Sequence, residues 1–230
     1  MKKIGLLFSG SGSNDGSEIQ EAVLTMLELD KRECEVVAMA PNIDQMHVVN
    51  HYTGQEMDEY RNVLVESSRI ARGNIKDMAE VEASDIDGLI IPGGLGVSKN
   101  LCDYAMAGPE CSVNPDVYRL ISEVLLLKKP IGAICIAPIL IAKILSEQNN
   151  SANLTIGSDD KTSKDIKLMG SNHFDCKVDE VIVDEENRIV TTPAYMEAKC
   201  INEVALGIEK LVSQVLSLIC LLYTSDAADE

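Results

Sequence analysis

The sequence predicts an α/β fold: a mainly parallel sheet layered between helices, with an antiparallel hairpin at one edge. Three observations predict it. Short apolar runs of strand length alternate with stretches of helical periodicity. Those runs are almost continuously aliphatic, which implies strands buried on both faces and therefore helices on both sides of the sheet. Finally, "CKVDEVIVDEENRIVTTP" at 176–193 places two alternating runs about Glu185, Glu186 and Asn187, the pattern of a hairpin.

Taken in order, residues 4–8 read as a strand, 19–29 carry apolar residues at helical spacing, and 36–40 form a second strand closed by Pro41. A polar helix follows over 62–72, then a strand over 88–91 stopped by Pro92, Gly93 and Gly94. A helix over 115–128, a strand over 131–135 and a helix over 138–146 continue the series. Residues 154–157 read as a further short strand, and 197–216 as a closing helix. Nothing divides the chain, so residues 1–218 are expected to form a single domain. The end, 219–230, extends no earlier pattern and is expected to be a non-native or disordered tail.

The chain has 230 residues, enough for one substantial core, and 3% aromatic content with no tryptophan makes that core aliphatic. Its formal net charge of −17 opposes phosphate backbones and anionic lipid, so neither nucleic acid nor membrane is an expected partner. No run approaches the roughly 20 apolar residues of a membrane span, and the apolar stretch near the N-terminus is shorter than a signal-peptide core. Seven widely spaced cysteines without a C-x-x-C pair suit reduced thiols, which places the expectation in the cytoplasm.

No cofactor or metal is expected. "SGSGSNDG" places its third glycine, Gly16, one position late for a dinucleotide fingerprint. His47 and His51 have the i,i+4 spacing of a zinc pair, but "HVVNH" lacks the glutamate of H-E-x-x-H and has no evident third ligand.

The chemistry concentrates on "IGAICIAPI". Cys135 sits between Ala133 and Ala137, small residues at −2 and +2, as in the strand-to-helix elbow that holds a nucleophile exposed on a strained turn. Pro138 suits the first turn of the helix that follows. The competing reading is that Cys135 is a small buried hydrophobe. As a nucleophile it would have its thiolate favoured by the helix dipole and a lowered pKa. Ligands of an open parallel sheet gather beyond the carboxyl ends of its strands, where residues 9–17, the Pro92 turn and the elbow converge. Glu18 is there either an acid in a helix's first turn behind a Ser17/Gln20 capping box, or a general acid/base facing Cys135. Amides of Gly93 and Gly94 are candidates for an anion pocket, with a plain tight turn as the alternative. His173 lies before the hairpin within chain reach of the same crevice.

The ordered motifs "DGSEI", "HYTGQEM", "RNVLVESSRIARG", "LIIPGGLGVSKNL", "ICIAPILIAKI", "LTIGSD" and "IVTTPAYM" resemble the ElbB family, the enhancing lycopene biosynthesis branch of the ThiJ/PfpI superfamily, over about residues 1–218. The resemblance implies a flavodoxin-like three-layer α/β/α sandwich of the class I glutamine amidotransferase-like type, commonly a homodimer. It matches the family's cysteine to Cys135 and its acid to Glu18, with the amides of Gly94 and Ile136 as oxyanion donors. The implied activity is cofactor-independent conversion of glyoxal, a small aldehyde, to glycolate, a glyoxalase reaction alternatively read as the trace of a deglycase. No histidine follows Cys135 directly and no H-x-E motif follows the elbow, so protease and amidotransferase chemistry lose support. The expected mechanism is a hemithioacetal on Cys135, proton relay by Glu18 and assistance from His173. The alternative is a redox-sensing or partner-binding protein with an oxidisable Cys135, linked to isoprenoid production.

Overall fold

A computed structural model of the chain describes residues 1–226. In chain order the elements are β1 (Lys3–Leu7), α1 (Ile19–Asp30), β2 (Glu35–Ala40), β3 (Val49–Asn50), β4 (Gln55–Glu56), α2 (Val63–Ile70), β5 (Lys76–Asp77) and β6 (Gly88–Ile91). There follow α3 (Tyr104–Ala107), α4 (Pro115–Leu126), β7 (Ile131–Ile134), α5 (Pro138–Glu147), β8 (Asn153–Leu154), α6 (Asp160–Leu168), β9 (Asn172–His173), β10 (Ile182–Asp184), β11 (Ile189–Thr192) and α7 (Ile201–Asp226).

Seven strands form one sheet in the order β10-β11-β7-β6-β1-β2-β5, parallel throughout except at β10. The flavodoxin-like sandwich expected from the sequence is present. Every residue of β6 and β7 is buried, and Ile4, Leu6, Leu7 and Phe8 are wholly enclosed, because helices cover both faces. α1 packs on α7 and α4 on α5. The hairpin is antiparallel only between β10 and β11; β11 runs parallel to β7, so its second strand is an inner member of the sheet.

Two helix ends differ from expectation. The start of α1 is capped by Glu18, whose carboxylate accepts from the Glu21 N–H at 2.7 Å, and not by a Ser17/Gln20 box. Ser17 is turned inward instead, where its Oγ accepts from the Ser9 N–H at 2.9 Å. α7 begins four residues later than 197 and does not stop at Leu216. Ile219 is fully buried, and Lys2 Nζ donates to the Leu216 carbonyl at 3.1 Å and to Cys220 Sγ at 2.8 Å. Residues 219–226 of the expected tail are therefore helical; 227–230 lie outside the described residues.

By length and composition, residues Ile201–Leu221 suffice to cross a membrane, which corrects the expectation that no such run exists. Half of that stretch is buried within the protein. Val204, Ile208, Leu211, Val212 and Val215 have no exposed surface, and a Cβ placed on Gly132 of β7 would come within 2.7 Å of Leu211 Cδ2. The apolar face of α7 therefore has its partner in the sheet, as a core helix does.

The region between β7 and β10 contains more than the sequence suggested. The strand expected over 154–157 reduces to β8, which pairs with β9 in a separate two-stranded sheet, and α6 lies between them. α6 has a polar sequence, DKTSKDIKL, and is started by Asp159, whose carboxylate accepts from the Thr162 N–H at 2.8 Å.

Candidate active site

The chain turns abruptly at the elbow that ends β7. Cys135 has φ +61°, a left-handed conformation that costs a non-glycine residue roughly 1–3 kcal/mol and persists where surrounding structure fixes it. It is fixed by the Cys135 N–H donating to the Thr192 carbonyl at 2.9 Å and by α5 beginning at Pro138. Ala133 and Ala137 are wholly buried, in keeping with the small-residue rule at these positions.

Two chain segments close around the sulfur. Gly93 is wedged between the elbow and α1: a Cβ there would stand 2.4 Å from Cys135 Cβ and 2.7 Å from Glu21 Oε2. Gly94, at φ +96°, lies against the first loop, where a Cβ would meet the Gly16 carbonyl at 2.3 Å. The Glu18 N–H donates to the Gly93 carbonyl at 2.9 Å and the Gly96 N–H to the Gly16 carbonyl at 2.9 Å, so the two loops are bound into one unit. The amides of Gly94 and Ile136 hydrogen-bond the Cys135 sulfur.

The acid that reaches the thiol is Glu21, one helical turn beyond the predicted Glu18. Glu21 is completely buried. Its Oε2 accepts from the Gly93 N–H at 2.8 Å and its Oε1 from the Tyr195 N–H at 3.2 Å, and the carboxyl shares a hydrogen bond with Cys135. Glu18 lines the cavity, but its carboxylate bends back onto its own helix as the cap. The Gly93 amide is likewise occupied by Glu21 and does not point an N–H into the cavity for a substrate, a correction to its expected role.

Electrostatics differ from the expected low-pKa thiolate. Burial, then the neighbouring charge of Glu18, pushes Glu21 up to about 8 against the two amides that favour its charged form. Burial, then the charge of Glu21, pushes the Cys135 thiol well above its ordinary value, against the lowering pull of the Gly94 and Ile136 amides. The helix-dipole effect is outweighed because Cys135 is buried, only 8% exposed, beside a second acid. Glu21 and Cys135 form one buried acid pair in which burial and mutual charge hold both groups toward their protonated forms.

His173 is not part of this site. It is enclosed between β8 and α6, where its Nε2 accepts from the Ile156 N–H at 3.3 Å, and burial lowers its pKa. His51 is also engaged elsewhere, accepting from the Asn14 N–H at 3.2 Å. Among the described residues, no histidine lines the cavity.

That cavity has a volume of about 460 Å³ and ends on Cys135. Leu95, Tyr104, Ile136, Tyr195 and Met196 supply its apolar walls, and Glu18, Asp159 and Lys161 its charges. Sequence reasoning missed the contribution of 193–196. Ala194 takes a left-handed φ of +44°, which turns the Tyr195 amide toward Glu21 and its ring toward the cavity. The signal available was "PAYM", directly following the last sheet strand.

Comparison with known proteins bears on the family and the fold. The model of the DJ-1/PfpI family matches residues 12–199. A human protein described as glutamine amidotransferase-like class 1 domain-containing protein 3, mitochondrial, is 40% identical over 226 residues, covering 94% of this chain and 83% of its own. The mitochondrial ES1 protein of Danio rerio is 33% identical over 210 residues, 84% of this chain and 76% of its own. A crystal structure described as an isoprenoid biosynthesis protein with amidotransferase-like domain, from Ehrlichia chaffeensis, superposes with a TM-score of 0.89 at 36% identity, covering 95% of this chain and 100% of that one. The expectation of a cytoplasmic protein does not stand, because these curated relatives, with the ES1 homolog of Rattus norvegicus, are described as mitochondrial.

Proposed function

Because this chain belongs to the DJ-1/PfpI family, and because its elbow cysteine shares a hydrogen bond with a buried glutamic acid at the foot of an apolar cavity, we propose that it is a cofactor-independent glyoxalase. It hydrates glyoxal to glycolate through a cysteine adduct. The observation that carries the reading is the Cys135–Glu21 pair, a nucleophile and a proton carrier with no imidazole between them.

The Cys135 sulfur adds to one aldehyde carbon while its proton passes through Glu21 to the carbonyl oxygen, giving a hemithioacetal. The amides of Gly94 and Ile136, which already point at the sulfur, stabilise the oxygen as its charge develops. Glu21 then removes the C–H proton of the adduct and returns it to the neighbouring carbon through an enediol. The thioester of glycolate that results is cleaved by water, restoring the thiol. One carbon is oxidised and its neighbour reduced, so the reaction needs no external oxidant.

The active form has lost one proton from the pair, so kcat/KM is expected to rise with pH and level off above about 8. Cys135→Ala is expected to abolish glycolate formation from glyoxal, measured by direct detection of the acid. Turnover by that variant at the wild-type rate would overturn the proposal. Selective peroxide oxidation of Cys135 in a wild-type protein without turnover would support a redox-sensing role in its place.

A further inference from the structure

Away from the elbow, a second pair of acidic side chains meets, and both are thiols. Cys102 and Cys111 are 4% and 1% exposed, and they share a hydrogen bond. The backbone brings them together. Cys102 bridges Val113 in antiparallel fashion, the Asp103 N–H donates to the Ser112 carbonyl at 3.1 Å and the Asn114 N–H to the Leu101 carbonyl at 2.9 Å. Between the two cysteines the chain runs out over α3 and turns back at Gly108, φ +60°, so the thiols meet at the neck of a closed loop. That loop is a thin cover: Ala105, Met106, Ala107 and Glu110 are exposed, while Tyr104 turns inward and, with Ala105, lines the cavity that ends on Cys135. Neither Cys102 nor Cys111 lines it. The two thiols are not equivalent. Cys102 Sγ also donates to the Val97 carbonyl at 3.3 Å, so Cys102 is the partner that keeps its proton. The hydrogen bond from Cys102 lowers the Cys111 pKa, and Lys143 lowers it further, against burial.

We propose that Cys102 and Cys111 are a redox pair that hydrogen peroxide closes into a disulfide, stapling the loop that carries Tyr104. The Cys111 thiolate attacks one peroxide oxygen: an S–O bond forms, the O–O bond breaks, and the departing oxygen takes up a proton and leaves as water. The Cys102 sulfur, giving up its proton, then attacks the sulfenic sulfur of Cys111. The S–S bond forms, the S–O bond breaks and a second water leaves. The two thiols lose two electrons and two protons, and one peroxide is reduced to two waters. Burial keeps bulky thiols and disulfides from the pair, whereas a peroxide needs only a local opening of the loop. In the oxidised form α3 is tied at both ends, which holds Tyr104 in the cavity wall.

The test exposes the folded wild-type protein to a graded series of hydrogen peroxide, blocks remaining thiols with iodoacetamide in denaturant, and reads the digest by mass spectrometry. Trypsin leaves both cysteines in the single peptide 100–119, and cleavage after Glu110 separates them. The expected result is that peptide lighter by two hydrogens and unalkylated, its halves still joined after cleavage at Glu110 until dithiothreitol is added. The cross-link is expected at the wild-type yield in Cys135→Ala and is expected to be lost in Cys111→Ser. Amide hydrogen exchange over residues 103–110 is expected to slow about tenfold in the oxidised protein and to recover on reduction. Both cysteines still alkylated at the highest peroxide dose, or either one joined to a different cysteine, overturns the inference. So does a cross-link that forms only once the protein is unfolded. None of these outcomes bears on the glyoxalase reading, which is decided by glycolate formation.

Discussion

At the scale of single residues, the site depends on which of two glutamates, three positions apart, faces the thiol. Glu18 is the cap of α1 and Glu21 is the third residue inside it, so one carboxylate serves the helix's own amides and the other is free to serve the sheet. Glu21→Gln is expected to lower kcat/KM by about 10²–10⁴-fold, while Glu18→Gln, which keeps an oxygen acceptor for the cap, retains turnover that Glu21→Gln loses. Stability gives an independent reading. Folding raises the Glu21 pKa from its ordinary 4.5 to about 8, so between those values the folded state binds more protons than the unfolded one. The contribution is fully present below about pH 4.5 and is lost as pH rises through about 8. Denaturant unfolding of wild type and Glu21→Gln across that window should therefore diverge, the wild type losing stability with pH relative to the variant.

At the scale of elements, loops beyond the sheet's carboxyl ends form the site, and glycine decides how closely two of them approach. Any side chain at Gly93 has to displace Cys135 or Glu21, since its Cβ alone would stand 2.4 Å from Cys135 Cβ. Gly93→Ala is expected to leave the secondary structure intact by circular dichroism and to lower turnover at least about tenfold, because small displacements of reacting groups are felt strongly. The elbow was legible in the sequence because small residues at fixed spacing about a cysteine are a local signal. Its acid was not. The start of α1 is set by the Glu18 N–H meeting the Gly93 carbonyl from a loop over seventy positions later, and an offset of three residues decides which glutamate turns inward. The same limit applied to α6: it has a polar sequence and only one shallow face to bury, so apolar periodicity did not reveal it.

At the scale of the whole molecule, α7 completes the layer that encloses β6, β7 and β11. Leu211 is fully buried against Gly132 of β7, the strand that ends in the elbow. Leu211→Ala is expected to cost about 2–5 kcal/mol by denaturant unfolding and to leave turnover per folded molecule near that of wild type, since Leu211 does not line the cavity. The sequence by itself determined the class of fold, the place of the elbow cysteine and the loops that meet around it, because strand periodicity, turn residues and elbow spacing are properties of neighbouring positions. Only the tertiary structure decided that Glu21 and not Glu18 faces the thiol, that His173 stays within a separate small sheet, and that the thiol is pushed up. Each of those depends on burial and on partners brought from distant parts of the chain, and desolvation acts on a group only once the fold has enclosed it.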